Sequence, residues 1–164
     1  MKNLKFVFVL FALLSFLVST AQSKKEKKAI QAEAIKTAVD ARRFIFQAQT
    51  ASPTGSGIKQ LSTGYYFTVL PDSIISNLPY FGRAHQASMA SQDVGMKFTS
   101  LKFNYTVKNT KKGGWDIKIQ TDDVKGAPQV FLTISTSGTT SVRISSNDRQ
   151  SISYNGYIEG IKKK

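Results

Sequence analysis

The feature that most constrains this chain is a period of two. From about residue 100 onward, apolar and polar side chains alternate in short runs. Leu101, Phe103, Tyr105 and Val107 share one side of the first run. Trp115, Ile117 and Ile119 stand opposite Asp116, Lys118 and Gln120 in the second. Val130, Leu132 and Ile134, then Val142 and Ile144, then Ile152, Tyr154 and Ile158 continue the pattern. Strands place successive side chains on opposite faces, so each run makes a ribbon that is apolar on one side only. Turn-forming clusters separate the runs: 109–114 (NTKKGG), 125–128 (KGAP), Ser137-Gly138 and Asn147-Asp148. Short turns join antiparallel neighbours, so a five-strand meander is predicted. An all-helical fold is excluded, and so is a doubly wound parallel sheet, whose strands are apolar on both faces.

Two further alternating runs precede this half, one with Phe44, Phe46 and Ala48, the other with Tyr65, Phe67 and Val69, stopped by Pro71. Ahead of them, Ser23 to Arg43 follows the helical period. Ile30, Ala34, Ala38 and Ala41 form a stripe that Ile35 and Val39 widen, opposite Glu33, Lys36, Asp40 and Arg43. A sheet with one apolar face must curl up or be covered. The expected fold is α+β: a curved antiparallel sheet of about seven strands with the N-terminal helix packed on it. A lipocalin-like β-barrel is the alternative. Helix 22–43 and β region 44–164 form one domain, as suits a chain of 164 residues.

Residues 1–21 read as a signal peptide. Lys2 and Lys5 precede an apolar run from Phe6 to Val18, and Ser19-Thr20-Ala21 supplies a small-residue cleavage site before Gln22. The run is short for a membrane span, so no transmembrane segment is expected in the mature chain. With no Cys there is no thiol for a lipid anchor, a disulfide, a thiolate metal site or a cysteine nucleophile. Export without disulfides fits a bacterial envelope, periplasmic or extracellular, better than a eukaryotic secretory route.

The segment 72–95 (DSIISNLPYFGRAHQASMASQDVG) fits neither period. Asp72 or Ser73 is expected to cap a single helical turn that Pro79 ends. So long a connection in a small domain is commonly functional, and its adjacent aromatics argue that it docks on the body. In one reading Tyr80 and Phe81 plug an end of the sheet. In the other, Tyr80, Arg83 and His85 rim a pocket and bind an anionic or sugar-like ligand through a ring face, a guanidinium fork and an imidazole. The two are compatible if Phe81 is buried and Arg83 exposed.

Enzyme signatures are sparse. His85 is the sole His, so any triad needs it as base, and no Gly-x-Ser-x-Gly elbow is present. Asp122 and Asp123 are adjacent and within a strand would point to opposite faces, not converging unless the strand has ended there; a polar strand end before the Gly126-Ala127-Pro128 turn is the expected reading. No cofactor and no metal is expected. The net charge of +13, with basic residues dispersed at 24–28, 97–112 and 162–164, allows an anionic surface as partner. Export argues against nucleic acid. The resulting expectation is a non-catalytic binding or accessory protein of the cell envelope, whose partner is a small molecule, a glycan or an envelope component. A hydrolase using His85 or Asp122 and a charge-driven binder of anionic polymers or lipids are the alternatives.

The run Leu78-Pro79-Tyr80-Phe81-Gly82-Arg83-Ala84 resembles the signature of an exported bacterial family, domain of unknown function 4251. Phe98, Gly114-Trp115 and residues 147–156 (NDRQSISYNG) are similar to its later blocks. The resemblance covers roughly residues 43–158. It implies an exported protein of Gram-negative bacteria and supplies no activity, cofactor or catalytic residue.

Overall fold

The computed structural model describes residues 24–55, 57–82, 96–111 and 113–161. The leader segment 1–21 lies outside them. Among the described residues ten strands follow one helix: β1 (Phe44–Pro53), β2 (Lys59–Gln60), β3 (Tyr66–Val69), β4 (Ile74–Leu78), β5 (Met96–Ser100), β6 (Phe103–Asn109), β7 (Trp115–Thr121), β8 (Gln129–Ile134), β9 (Thr139–Ser146) and β10 (Arg149–Gly160). They join in one antiparallel sheet of order β5-β4-β3-β1-β10-β9-β8-β7-β6, with β2 paired beside β1. Every ladder is antiparallel. The two edges of this path, β5 and β6, are consecutive in sequence. The sheet is therefore nearly barrel-shaped, with its seam at the β5–β6 corner.

The α+β expectation with a curved antiparallel sheet holds, and the barrel alternative is compatible with it. The strand count is ten rather than about seven. Three strands were hidden. β4 occupies the expected helical turn: Ile74, Ser76 and Leu78 point inward, while Ile75 and Asn77 are half-buried. The residues expected to cap a helix instead turn a hairpin, with the Leu70 N–H donating to the Ser73 carbonyl at 2.9 Å. β5 carries a polar inward residue, Ser100, and β2 is only two residues long.

The core is assembled from the inward positions. Phe44, Phe46, Phe67, Leu78, Ile119, Leu132, Ile144 and Tyr154 are fully buried. Among the described residues they pack together as the core of the sheet's interior. Gly156 marks the tightest approach. It faces a register shift in β1 between Ala48 and Thr50, and a Cβ there would lie 1.9 Å from the Gln47 carbonyl oxygen.

The helix, α1 (residues 24–40), closes one end of the barrel. Its last turn ends in a left-handed residue, Arg42 (φ 51°), with the Arg43 N–H reaching back to the Ala38 carbonyl at 2.9 Å and the Arg42 N–H to Val39. Glycine usually fills that place. Here the Arg42 guanidinium lies 4.7 Å from the centroid of the Tyr105 ring, a contact glycine cannot make. The buried stripe is narrower than expected: Ile35, Ala38 and Val39 are covered, while Ala34 and Ala41 are exposed and Ile30 is 70% exposed. α1 meets the sheet through Ile35 against Gly138 and Ala38 against Gly160, and the Gln31 side-chain amide donates to the Ser137 carbonyl at 2.7 Å. No described helix is long and apolar enough to cross a membrane.

Candidate functional site

At the opposite end from α1, the chain leaves β4 at Leu78 and crosses the β9–β10 turn. Pro79 cannot extend the β4 ladder as a donor, and its carbonyl is captured instead by the Tyr154 hydroxyl at 2.6 Å. The next residue turns inward. Tyr80 is only 6% exposed, and its hydroxyl donates to the Gln150 carbonyl at 3.0 Å. Above its ring sits the Arg149 guanidinium, 5.2 Å from the centroid. Arg149 is held in turn by Asp148, with Nη2 to Oδ2 at 3.2 Å and Nε to Oδ1 at 3.3 Å, and Nη1 lies 3.7 Å from the Met96 sulfur. The Ser146 hydroxyl donates to Asp148 and its oxygen lies 3.0 Å from the Gly126 carbonyl oxygen, which accepts from the Asn147 N–H at 3.0 Å. The β7–β8 and β9–β10 turns are thus locked together.

These contacts set the electrostatics. Burial pushes the Tyr80 phenol up, against the pull of Arg149. Burial also opposes ionisation of Asp148, but the Ser146 hydroxyl and the Arg149 guanidinium outweigh it and hold the carboxyl below its usual range. Beside this network lies a cleft of about 170 Å³, lined by Lys97, Phe98, Lys125, Asp148 and Arg149 among others. Lys97, Lys125, Arg149 and Asp148 are the charged side chains among the described residues that line it.

Of the sequence-selected residues, Tyr80 therefore lies at this end, packed inward. Arg83 and His85 lie outside the described residues. The expectation that Phe81 is the buried member is corrected: Phe81 is 41% exposed, with the Lys59 ammonium 5.3 Å from its ring centroid. Pro79 and Gly82 bracket one inward and one outward aromatic, and only Tyr80 has a hydroxyl to satisfy inside. Asp148 and Arg149 were read in sequence only as turn and strand text. Their signal was an acid–base pair directly beside a turn, where both side chains reach the barrel mouth. Asp122 and Asp123 lie just past Thr121, the last residue of β7, as the strand-end reading expects, and their carboxylates take different partners. Asp122 accepts from Asn104 at 3.4 Å, whereas Asp123 binds the β5–β6 corner, accepting from the Ser100 hydroxyl (2.5 Å) and the N–H groups of Leu101 (2.8 Å) and Lys102 (3.1 Å). Among the described residues no three His, Cys, Asp or Glu side chains gather into a metal-binding group.

Fold and end-network define a small antiparallel β domain with a filled interior, a helix over one end and a Tyr–Arg–Asp cluster over the other. The family model described as domain of unknown function (DUF4251) matches residues 26–158, and the chain belongs to that family. A crystal structure of a DUF4251 family protein from Bacteroides eggerthii is similar in fold, with a TM-score of 0.60 and 13% sequence identity, over 80% of this chain and 89% of that one. No curated protein matches the chain.

Proposed function

We propose that this is an exported, non-catalytic binding or accessory module of the Gram-negative cell envelope, and that it engages an anionic small molecule or sugar-like group at the Tyr80–Arg149 end. The observation that carries this reading is the division of the barrel into a filled interior and a polar mouth. Fully buried aromatics occupy the inside, so a ligand is met from outside. Lys97, Lys125 and Arg149 line a cleft at the mouth beside a rigidly bonded tyrosine. Guanidinium and ammonium groups over a partly desolvated wall suit a carboxylate or phosphate.

The test is calorimetric titration of the protein from Gln22 to Lys164 with glucuronate and glucose 1-phosphate, against glucose. Binding of either anion, absent for glucose and lost in a Lys97→Ala, Lys125→Ala double variant, is the expected result. Heat from none of the three, or equal affinity in the double variant, overturns the reading. Cell fractionation with mass determination of the mature N-terminus checks export; a product retaining Met1 in the cytoplasm refutes it.

A further inference from the structure

A second surface carries an inference that does not depend on the barrel mouth. The outward face of β6 to β9 is polar at every position but one. Phe131 stands in the middle of it, 40% exposed, where alternation calls for a polar side chain. The ladder register sets its neighbours. Across four strands one row reads Thr106, Lys118, Phe131, Arg143. The Lys118 ammonium lies 5.8 Å from the Phe131 ring centroid on one side, and Arg143 is the direct partner of Phe131 on the other. The parallel rows place Gln129 and Ser145 on one flank and Thr133 and Ser141 on the other. Two open depressions meet at the ring: one of about 490 Å³ bounded by Gln129, Phe131 and Arg143, another of about 450 Å³ bounded by Lys108, Lys118, Phe131 and Thr133. Each is within the size range of small-ligand sites.

The geometry points to a binding platform for an acidic polysaccharide, a chain of uronate-type sugars lying along this row. An exposed aromatic ring has an electron-rich face that takes the C–H face of a sugar ring. Amide and hydroxyl side chains in register on both flanks are donors and acceptors for sugar hydroxyls. Charge selects the acidic form: Lys108, Lys118 and Arg143 face outward here against Asp116 alone, and the Asp116 carboxylate already accepts from the Thr133 hydroxyl at 2.8 Å. Neighbouring strands stand about 4.8 Å apart, so Lys118 and Arg143 sit one on each side of the ring at a spacing of about 10 Å. A polysaccharide meets both cations while stacking on the ring between them. A protein partner fits less well, since a single ring in a field of hydroxyls and amides lacks the apolar core of a docking patch.

Affinity electrophoresis of the protein from Gln22 to Lys164 through gels containing polygalacturonate, dextran or polyphosphate tests this. Retardation by polygalacturonate and not by dextran is expected. Phe131→Ala and Arg143→Gln should each weaken it about tenfold, Phe131→Tyr should retain it, and the Lys97→Ala, Lys125→Ala variant should leave it intact, which separates this platform from the mouth. Phe131 is outside the core, so near-ultraviolet circular dichroism of the variants should match the parent. Retardation unchanged in a folded Phe131→Ala variant overturns the proposal. So does equal retardation by polyphosphate independent of Phe131, the mark of a general polyanion surface, and so does equal retardation by dextran.

Discussion

Replacing Tyr80 and Phe81 one at a time separates the two aromatics that sequence treats alike. Tyr80 is buried, bonded to the Gln150 carbonyl and covered by Arg149, whereas Phe81 projects beside Lys59. Truncating a buried aromatic costs about 3–5 kcal/mol through lost burial and the cavity left behind. Tyr80→Ala also strands the Gln150 carbonyl, so a loss near about 4 kcal/mol is expected. Tyr80→Phe keeps the ring and removes only the hydroxyl, for a loss of about 1 kcal/mol. Phe81→Ala gives up a half-exposed ring and a surface cation–π contact and should cost under about 1 kcal/mol. Urea unfolding followed by fluorescence of the sole tryptophan, the buried Trp115, measures all three. At about 3–5 °C per kcal/mol for a domain of this size, the Tyr80→Ala midpoint should fall by about 12–20 °C in a thermal scan. A Phe81→Ala loss equal to that of Tyr80→Ala, or a Tyr80→Ala loss below about 1 kcal/mol, would refute the assignment of inward and outward rings.

Three further outcomes follow from the geometry. Gly156→Ala should cost at least about 3 kcal/mol or prevent folding, because the added carbon meets the Gln47 backbone oxygen; near-normal expression and melting would contradict the β1–β10 register. The hydrogen bonds from Ser100 and Leu101 lower the Asp123 pKa, so this carboxylate stabilises the fold above its unfolded value of about 3.9 and loses that contribution as pH falls through its folded value. Asp123→Asn should therefore be less stable at neutral pH and show a flatter acid limb in pH-dependent unfolding. Tyr105 has a buried hydroxyl with no hydrogen-bond partner among the described residues, and burial raises its pKa to about 12 despite Arg42. Its neutral form is favoured in the fold, so its contribution is intact below about pH 10 and is lost as pH rises through about 12. Tyr105→Phe should match or exceed the parent by up to about 1 kcal/mol at neutral pH and flatten the alkaline limb.

The part of the fold that was legible is the part where one face is uniformly apolar. β7 to β10 alternate cleanly, and a one-residue slip would invert every side chain, so position and facing are both written in the residues. β4 was illegible because Ile74 and Ile75 are both apolar and follow Asp72-Ser73, which is equally good capping and turn chemistry; pairing with β3 decided between them. In α1 the period named the apolar stripe, but the sheet covers only the turns it reaches, which periodicity alone does not specify. Residues 147–150 sit beside a turn, and only the crossing of residues 79–82 over the barrel mouth brings Arg149 above Tyr80. Local pattern thus gave Tyr80 as a candidate, while its partners depend on closure of the whole sheet. Phe131 was passed over because attention to the inward residues Val130, Leu132 and Ile134 takes the odd positions as filler.

The ladder between β1 and β10 joins Phe44 to Gly160, nearly the full described chain apart. It lies in the middle of the sheet, not at an edge. A growing or threading polypeptide can form the hairpins of β3–β4 and β6 to β9 as they emerge, yet it cannot seat the central seam until the last strand is free. Distant pairing of this kind slows the final step. Emergence of β10 thus acts as the trigger for assembly, and a chain cut short before residue 149 should stay open along the side of β1 that β10 covers, an edge that other chains can then pair with.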